Sequence, residues 1–193
     1  PIQNLAGAYN DPTQNGNMDG FVAKFSSALS LSWSTYFGGN QDDAEVNSAI
    51  DNSNNLIIEG RTNSSNLPTL ATGSYYIDNQ VNSGSMLFFD IDIQKFSNNG
   101  SLIWSTYFGG NDNENLSANP GSFFPFNDGC AVDGCGNIYI SFSTRSSNMT
   151  TVDGGCQGFL DNDLSNFNDC FIAEFKKHGQ LTWSSYFGGY SNP

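Results

Sequence analysis

Apolar and polar residues alternate along this chain in short runs, and the runs recur. Leu31, Trp33, Thr35 and Phe37 hold alternate positions, with Ser34 and Tyr36 between them. Alternation of period two predicts a strand, and large side chains at both parities predict that both its faces are covered. The run returns as LIWSTYFGG from Leu102 and as LTWSSYFGG from Leu181. Each copy follows a shorter run that ends at Phe25, Phe96 or Phe175, eight residues before its tryptophan. Between the two runs lies a turn such as Asn98-Asn99-Gly100, a strong hairpin signal because Asn and Gly tolerate positive φ. Three matched segments thus begin at Asp19, Asp90 and Asp169, with Trp33, Trp104 and Trp183 spaced by 71 and then 79 residues.

A second unit also repeats. SAIDNSNNLIIEGRTNSSN from Ser48 matches CAVDGCGNIYISFSTRSSN from Cys130 at an offset of 82, pairing Asp51 with Asp133, Asn55 with Asn137 and Thr62 with Thr144. The aspartate ends a third strand, the Asp-x-x-x-Asn stretch makes a side-chain-bonded turn, and a fourth strand follows. The growth of the offset from 71 to 82 places an insert of eleven residues between Gly110 and Cys130, around the apolar patch Pro120 to Phe126. More weakly, Leu5 to Tyr9 matches Leu70 to Tyr75.

Self-similarity at a fixed period is the signature of repeat architectures. Four-stranded antiparallel units in tandem, apolar on both faces, predict an all-β fold built of propeller blades with long inter-blade loops. The expected units are 19–89, 90–168 and 169–193, with 1–18 as the tail of a preceding unit. That makes about two and a half blades, where closed propellers hold roughly four to eight. The 193 residues are therefore expected to form part of one propeller domain, completed by the remaining blades of a longer chain or by other subunits.

Composition narrows the partners. Six Lys plus Arg against 19 Asp plus Glu give a net charge of −13, which repels phosphate backbones and argues against nucleic-acid binding. The apolar runs are too short for a transmembrane helix. Aromatics at 14% are too abundant for a disordered acidic tail.

The string FVAKFSS…LSWSTYFGGN…AIDNSNNLIIEGRTNSSNLPT resembles the bacterial SBBP-type β-propeller repeat at Asp19–Thr69, Asp90–Thr151 and Asp169–Gly189. The resemblance implies a secreted or cell-surface protein of a Bacteroidetes-like bacterium, many such proteins being exported by the type IX secretion system. The periods of 71 and 79 are longer than that family's usual repeat, and the cysteines and long loops are this chain's own.

Candidate chemistry is sparse. Asp42 and Asp43, and likewise Asp112 and Glu114, follow the Gly-Gly that ends the tryptophan strand. Clustered carboxylate and amide oxygens suit Ca²⁺, with solvated turns as the simpler reading. Asp51 to Asn55 and Asp161 to Ser165 open like calcium loops, but position twelve is Thr62 or Ile172 where an EF-hand needs Glu. Trp33, Trp104, Trp183, Phe37, Phe108 and Phe187 repeat and are expected in the core. Tyr75, Tyr76, Phe123, Phe124 and Phe126 do not repeat, lie in long loops, and are the expected binding surface. Four cysteines suit an oxidising compartment, with Cys156–Cys170 as the favoured bridge and Cys130–Cys135 as the remaining pair. No nucleophile elbow or phosphate loop is present. The expected role is loop display on a rigid scaffold for a surface glycan or protein partner. A glycan-active enzyme with channel-mouth carboxylates and a calcium-stabilised adhesin are the alternatives.

Overall fold

The computed structural model describes residues 9, 11–70, 89–114, 129–154, 161–164 and 168–189, without the side chains of residues 45 and 46. Among these residues the fold is all-β, with ten strands and no helix. The strands are β1 (Gly20–Phe25), β2 (Leu31–Phe37), β3 (Asp43–Ile50), β4 (Leu56–Thr62), β5 (Asp90–Phe96), β6 (Leu102–Phe108), β7 (Gly129–Val132), β8 (Ile138–Thr144), β9 (Asp169–Phe175) and β10 (Leu181–Phe187). They form three antiparallel sheets. The first holds β1–β2, the second runs β3-β4-β5-β6, and the third runs β7-β8-β9-β10.

The grouping differs from the repeat as it reads along the chain. The stretch 19–89 is divided between two sheets: its first hairpin forms the first sheet, and its second hairpin joins the tryptophan hairpin of the following stretch. β4 pairs with β5 along its whole length, from Leu56 opposite Phe96 to Thr62 opposite Asp90. β8 and β9 repeat that register, from Ile138 opposite Phe175 to Thr144 opposite Asp169. The tryptophan strands also gain a bridge at their far edge, Leu70 to Ser105 on β6 and Val152 to Ser184 on β10.

Adjacent residues of β4 show how the sheets pack. Ile57 belongs to a cluster with Ile91, Ile93, Trp104 and Phe108 of its own sheet and Ile140, Phe142, Phe171 and Phe175 of the third. Ile58 belongs to another, with Phe37 and Val22 of the first sheet and Phe96 of its own. Successive strand residues point to opposite faces, so the second sheet is sandwiched between the other two. β5 is buried at every residue for this reason. Each large side chain so covered contributes about 1.5–3 kcal/mol. Edge-on ring pairs add to this packing, Phe108 to Phe142 across the interface at 5.9 Å and Phe171 to Tyr186 within the third sheet at 5.0 Å.

The repeated core holds in the inner copies and lapses at the end. Trp33, Trp104, Phe37 and Phe108 are buried. Phe187, expected beside them, is 58% exposed, and Trp183 is only partly buried. Among the described residues no further sheet covers that face of β10.

Candidate functional site

Two sets of repeated contacts sit at opposite ends of the tryptophan hairpins. At one end Trp33 and Trp104 each dock on the turn of the next sheet. Trp33 Nε1 donates to the Asn98 carbonyl at 3.2 Å, and Trp104 Nε1 to the Lys177 carbonyl at 3.3 Å. The rings lie against Gly100 and Gly179, both at positive φ. A Cβ built on either would stand 3.0 or 3.1 Å from the indole, so glycine is required twice over, for the backbone and for the ring. The lysines at matching positions join the same turns: Lys24 Nζ reaches the Asn98 carbonyl at 2.9 Å and Lys95 Nζ the Lys177 carbonyl at 3.1 Å.

Lys95 also forms a 2.9 Å ion pair with Asp51, and both side chains are buried. Asp51 is the first residue of the Asp-x-x-x-Asn turn. It accepts from the Ser53 and Asn55 N–H groups at 2.8 and 2.9 Å and from the Asn55 amide at 2.9 Å. Asp133 makes the same set with Cys135 and Asn137. Burial pushes the Asp51 carboxyl up, but Lys95 and the Asn55 and Ser53 donors outweigh it and hold the pKa at about 2.

At the other end two of the residues considered for calcium, Asp43 and Glu114, hydrogen-bond through their carboxylates within the protein. Asp43 is buried and accepts from Gly39 N and Ser64 Oγ, both at 2.7 Å. Glu114 is buried and accepts from Thr144 Oγ1 at 2.9 Å, Ser146 Oγ at 2.5 Å and Gly110 N at 3.3 Å. The hydroxyl donors belong to a repeated Thr-x-Ser-Ser-Asn stretch that begins at the last residue of β4 and of β8. The asparagines that close it, Asn66 and Asn148, accept from Asn40 N and Asn111 N at 2.8 and 2.7 Å. Asp42 and Asp112 take part through their backbone N–H groups, bonded to Asn63 Oδ1 and Ser146 Oγ at 2.9 Å. Among the described residues no group of three or more His, Cys, Asp or Glu is placed to hold a metal ion. Desolvation raises the carboxyls of Asp43 and Glu114. The charge of Asp90 pushes Glu114 further, well above its ordinary range.

The tyrosines of β6 and β10 bind the same stretch. Tyr107 Oη accepts from Leu67 N and donates to the Ser64 carbonyl, both at 2.8 Å. Tyr186 Oη accepts from Met149 N at 2.9 Å and donates to the Ser146 carbonyl at 2.7 Å. The only sequence signal for this latch was the recurrence of the two motifs, whose spacing differs by three residues between the copies. A third correspondence was missed. Asp11 and Asp161, 150 residues apart, accept at their carbonyls from Tyr36 N and Tyr186 N and turn back on themselves through Thr13 and Asp163. The stretch opening at Asp161 is thus an edge-covering turn.

Cys130 and Cys135 are thiols, so that expected bridge is absent. Cys130 lies in β7 opposite Ile140, and Cys135 lies exposed in the turn beyond the strand's end. Burial, then the charge of Glu59, pushes the Cys130 thiol up to about 12, which suits a packed side chain rather than a nucleophile. Cys170 has its sulfur 3.8 Å from the Phe171 carbonyl oxygen. Cys156, its expected partner, lies outside the described residues, as do Tyr75, Tyr76, Phe123, Phe124 and Phe126.

No protein-family model matches the chain, and no curated protein matches it. No helix among the described residues is long and apolar enough to cross a membrane.

Proposed function

We propose that the chain is a segment of a β-propeller in a secreted or cell-surface protein, and that its work is to display loops to a surface glycan or protein partner. The observation that carries this reading is the recurrence of one inter-sheet joint. The same tryptophan, lysine and glycine turn connect the first sheet to the second and the second to the third. A joint that recurs with the sequence period extends by adding units, each covering the face of the last. The innermost strands support it further: β3 lies beside β7, and Asn52 Nδ2 donates to the Gly134 carbonyl at 3.0 Å, as expected where blades converge on an axis. The segments 71–88 and 115–128 hold the unrepeated aromatics and are joined to this scaffold.

The test uses labelled full chain on a panel of immobilised bacterial polysaccharides, with Tyr75 and Tyr76, or Phe123, Phe124 and Phe126, replaced by Ser. Binding lost in either set at unchanged Tm is the expected result. Binding that both sets retain would overturn the loop assignment, and retention on no polysaccharide would remove the glycan from the proposal.

A further inference from the structure

The first sheet has two strands where its neighbours have four. Its strand β1 corresponds to β5 and β9, and each of those is paired on its second edge by a full strand, β4 or β8. Among the described residues nothing pairs with that edge of β1. A cavity of about 630 Å³ opens beside it, lined by Phe21, Phe25, Trp33, Ile50, Leu56 and Asn98. Phe25 is 57% exposed and Ile50 66%, although the counterparts of Phe25, Phe96 and Phe175, are fully buried.

A second observation defines what belongs there. Lys95 has two partners, the Lys177 carbonyl and the turn aspartate of the hairpin beside it, Asp51. Lys24 holds the counterpart of the first, the Asn98 carbonyl, and where Lys95 meets an aspartate it meets the Asn98 side-chain oxygen. β9 carries Glu174 at this position, bonded to Lys176, so the lysine is shared by β1 and β5 alone, and β5 shows it paired with an aspartate.

We propose that the outer edge of β1 is a docking seat for a β-hairpin of the Asp-x-x-x-Asn type. The hairpin adds as a strand pair, turns one face to Ile50 of the second sheet, carries an apolar residue beside Phe25 on the other, and sets its turn aspartate on the Lys24 ammonium. The proposal rests on the stacked-sheet reading and deepens it by naming the occupant. The register follows from the two existing copies. The residue five after the aspartate falls opposite Phe25, and the residue eleven after it falls opposite Asp19, as Leu56 and Thr62 do against Phe96 and Asp90. Backbone pairing provides affinity in such strand addition, and the alternate side chains and the charge provide selectivity.

The probe is a synthetic peptide of Ser48–Thr62, SAIDNSNNLIIEGRT, titrated into the full chain and followed by NMR hydrogen exchange. The expected result is saturation at one peptide per chain, with exchange slowed at least tenfold for the alternate Phe21–Phe25 amides that point away from β2. A peptide with its aspartate changed to Ala binds about tenfold more weakly to the native chain, and Lys24→Ala erases that difference. Ile50→Asp, at an exposed position that should not disturb folding, abolishes binding. Because an isolated hairpin is marginally stable, the same segment is also tethered ahead of Pro1 by a Gly/Ser linker. No protection in either format overturns the proposal, as does equal affinity of the two peptides. Protection that rises with protein concentration without peptide also overturns it, since the occupant is then a second copy. The stability of Gly179→Ala, read separately, tests the stack itself, so the two failures are distinguishable.

Discussion

Replacing Gly179 by Ala tests the inter-sheet joint with one methyl group. The new Cβ would stand 3.1 Å from Trp104 Cδ2 and 3.4 Å from Cε2 and Cε3, on a backbone at φ +91°. Holding a non-glycine residue in left-handed conformation costs about 1–2 kcal/mol. Displacing a packed indole adds about 1–3 kcal/mol, and the reduced freedom of the unfolded chain returns about 0.4–1 kcal/mol. The net expectation is a loss of about 2–3 kcal/mol, or a fall in Tm of about 4–12 °C for a chain of this size. Gly134→Ala is the control, because its Cβ meets nothing within 4 Å in a turn of the same third sheet. Denaturant unfolding followed by tryptophan fluorescence reads both. Gly100→Ala, whose Cβ would meet Trp33 at 3.0 Å, should match Gly179→Ala. If Gly179→Ala unfolds at the same midpoint as Gly134→Ala, the indole is not held by this turn and the argument for a repeating joint fails.

Tyr186→Phe removes the hydroxyl that serves Met149 N and the Ser146 carbonyl, and unfolding should show a loss of about 1–3 kcal/mol; Tyr36→Phe, whose ring meets Phe21 edge-on at 5.4 Å, should cost much less. Asp51→Asn leaves Lys95 buried without its counter-charge and should cost about 3–5 kcal/mol at neutral pH. In the native chain the folded pKa of Asp51 lies at about 2, below the ordinary 3.8, so its contribution is complete above 3.8 and is lost as pH falls towards 2; a pH series of Tm should show that acid limb flattened in Asp51→Asn. Glu114 has the opposite sign: its folded pKa lies above the ordinary 4.5, the folded state holds the proton more tightly, and stability falls as pH rises above 4.5; Glu114→Gln should flatten that alkaline decline, and an unchanged slope would assign the decline elsewhere.

Strand positions were legible in the sequence because period-two alternation and the Asn-Gly turn act locally. The tryptophan runs appear as β2, β6 and β10, and Asp-x-x-x-Asn forms the turn expected of it. Sheet membership was not legible. A tandem repeat reads equally well from either hairpin, and only five residues separate β2 from β3 while a much longer segment separates β4 from β5. Short connections suggest pairing, yet loop closure costs only (3/2)RT ln n, so the longer loop is a small obstacle beside a seven-residue ladder. The carboxylates of Asp43 and Glu114 were legible as a cluster, but their hydrogen-bond partners were not. Their hydroxyl donors lie 21 to 32 residues downstream, and nothing in the local pattern links the two.

The two ends of the stack are chemically unlike, and one residue shows why. Leu29 occupies the turn position held by Gly100 and Gly179 in the later sheets, at φ 59° and 83% exposed. Its side chain stands where an incoming indole would lie, so the turn of the first sheet cannot receive a tryptophan as the other two do. The third sheet presents the complementary half: Trp183 and Phe187 on the face that its counterparts, Trp104 and Phe108, bury against the next sheet. A unit added beyond the third sheet therefore needs a glycine at positive φ, whereas the first sheet has β1 and Lys24 to offer. Joining the two ends of separate copies would set Trp183 against Leu29 and leave the strand edge of β1 unpaired. The stack is thus directional: one end presents a tryptophan face, and the other carries a leucine where the inner turns carry glycine.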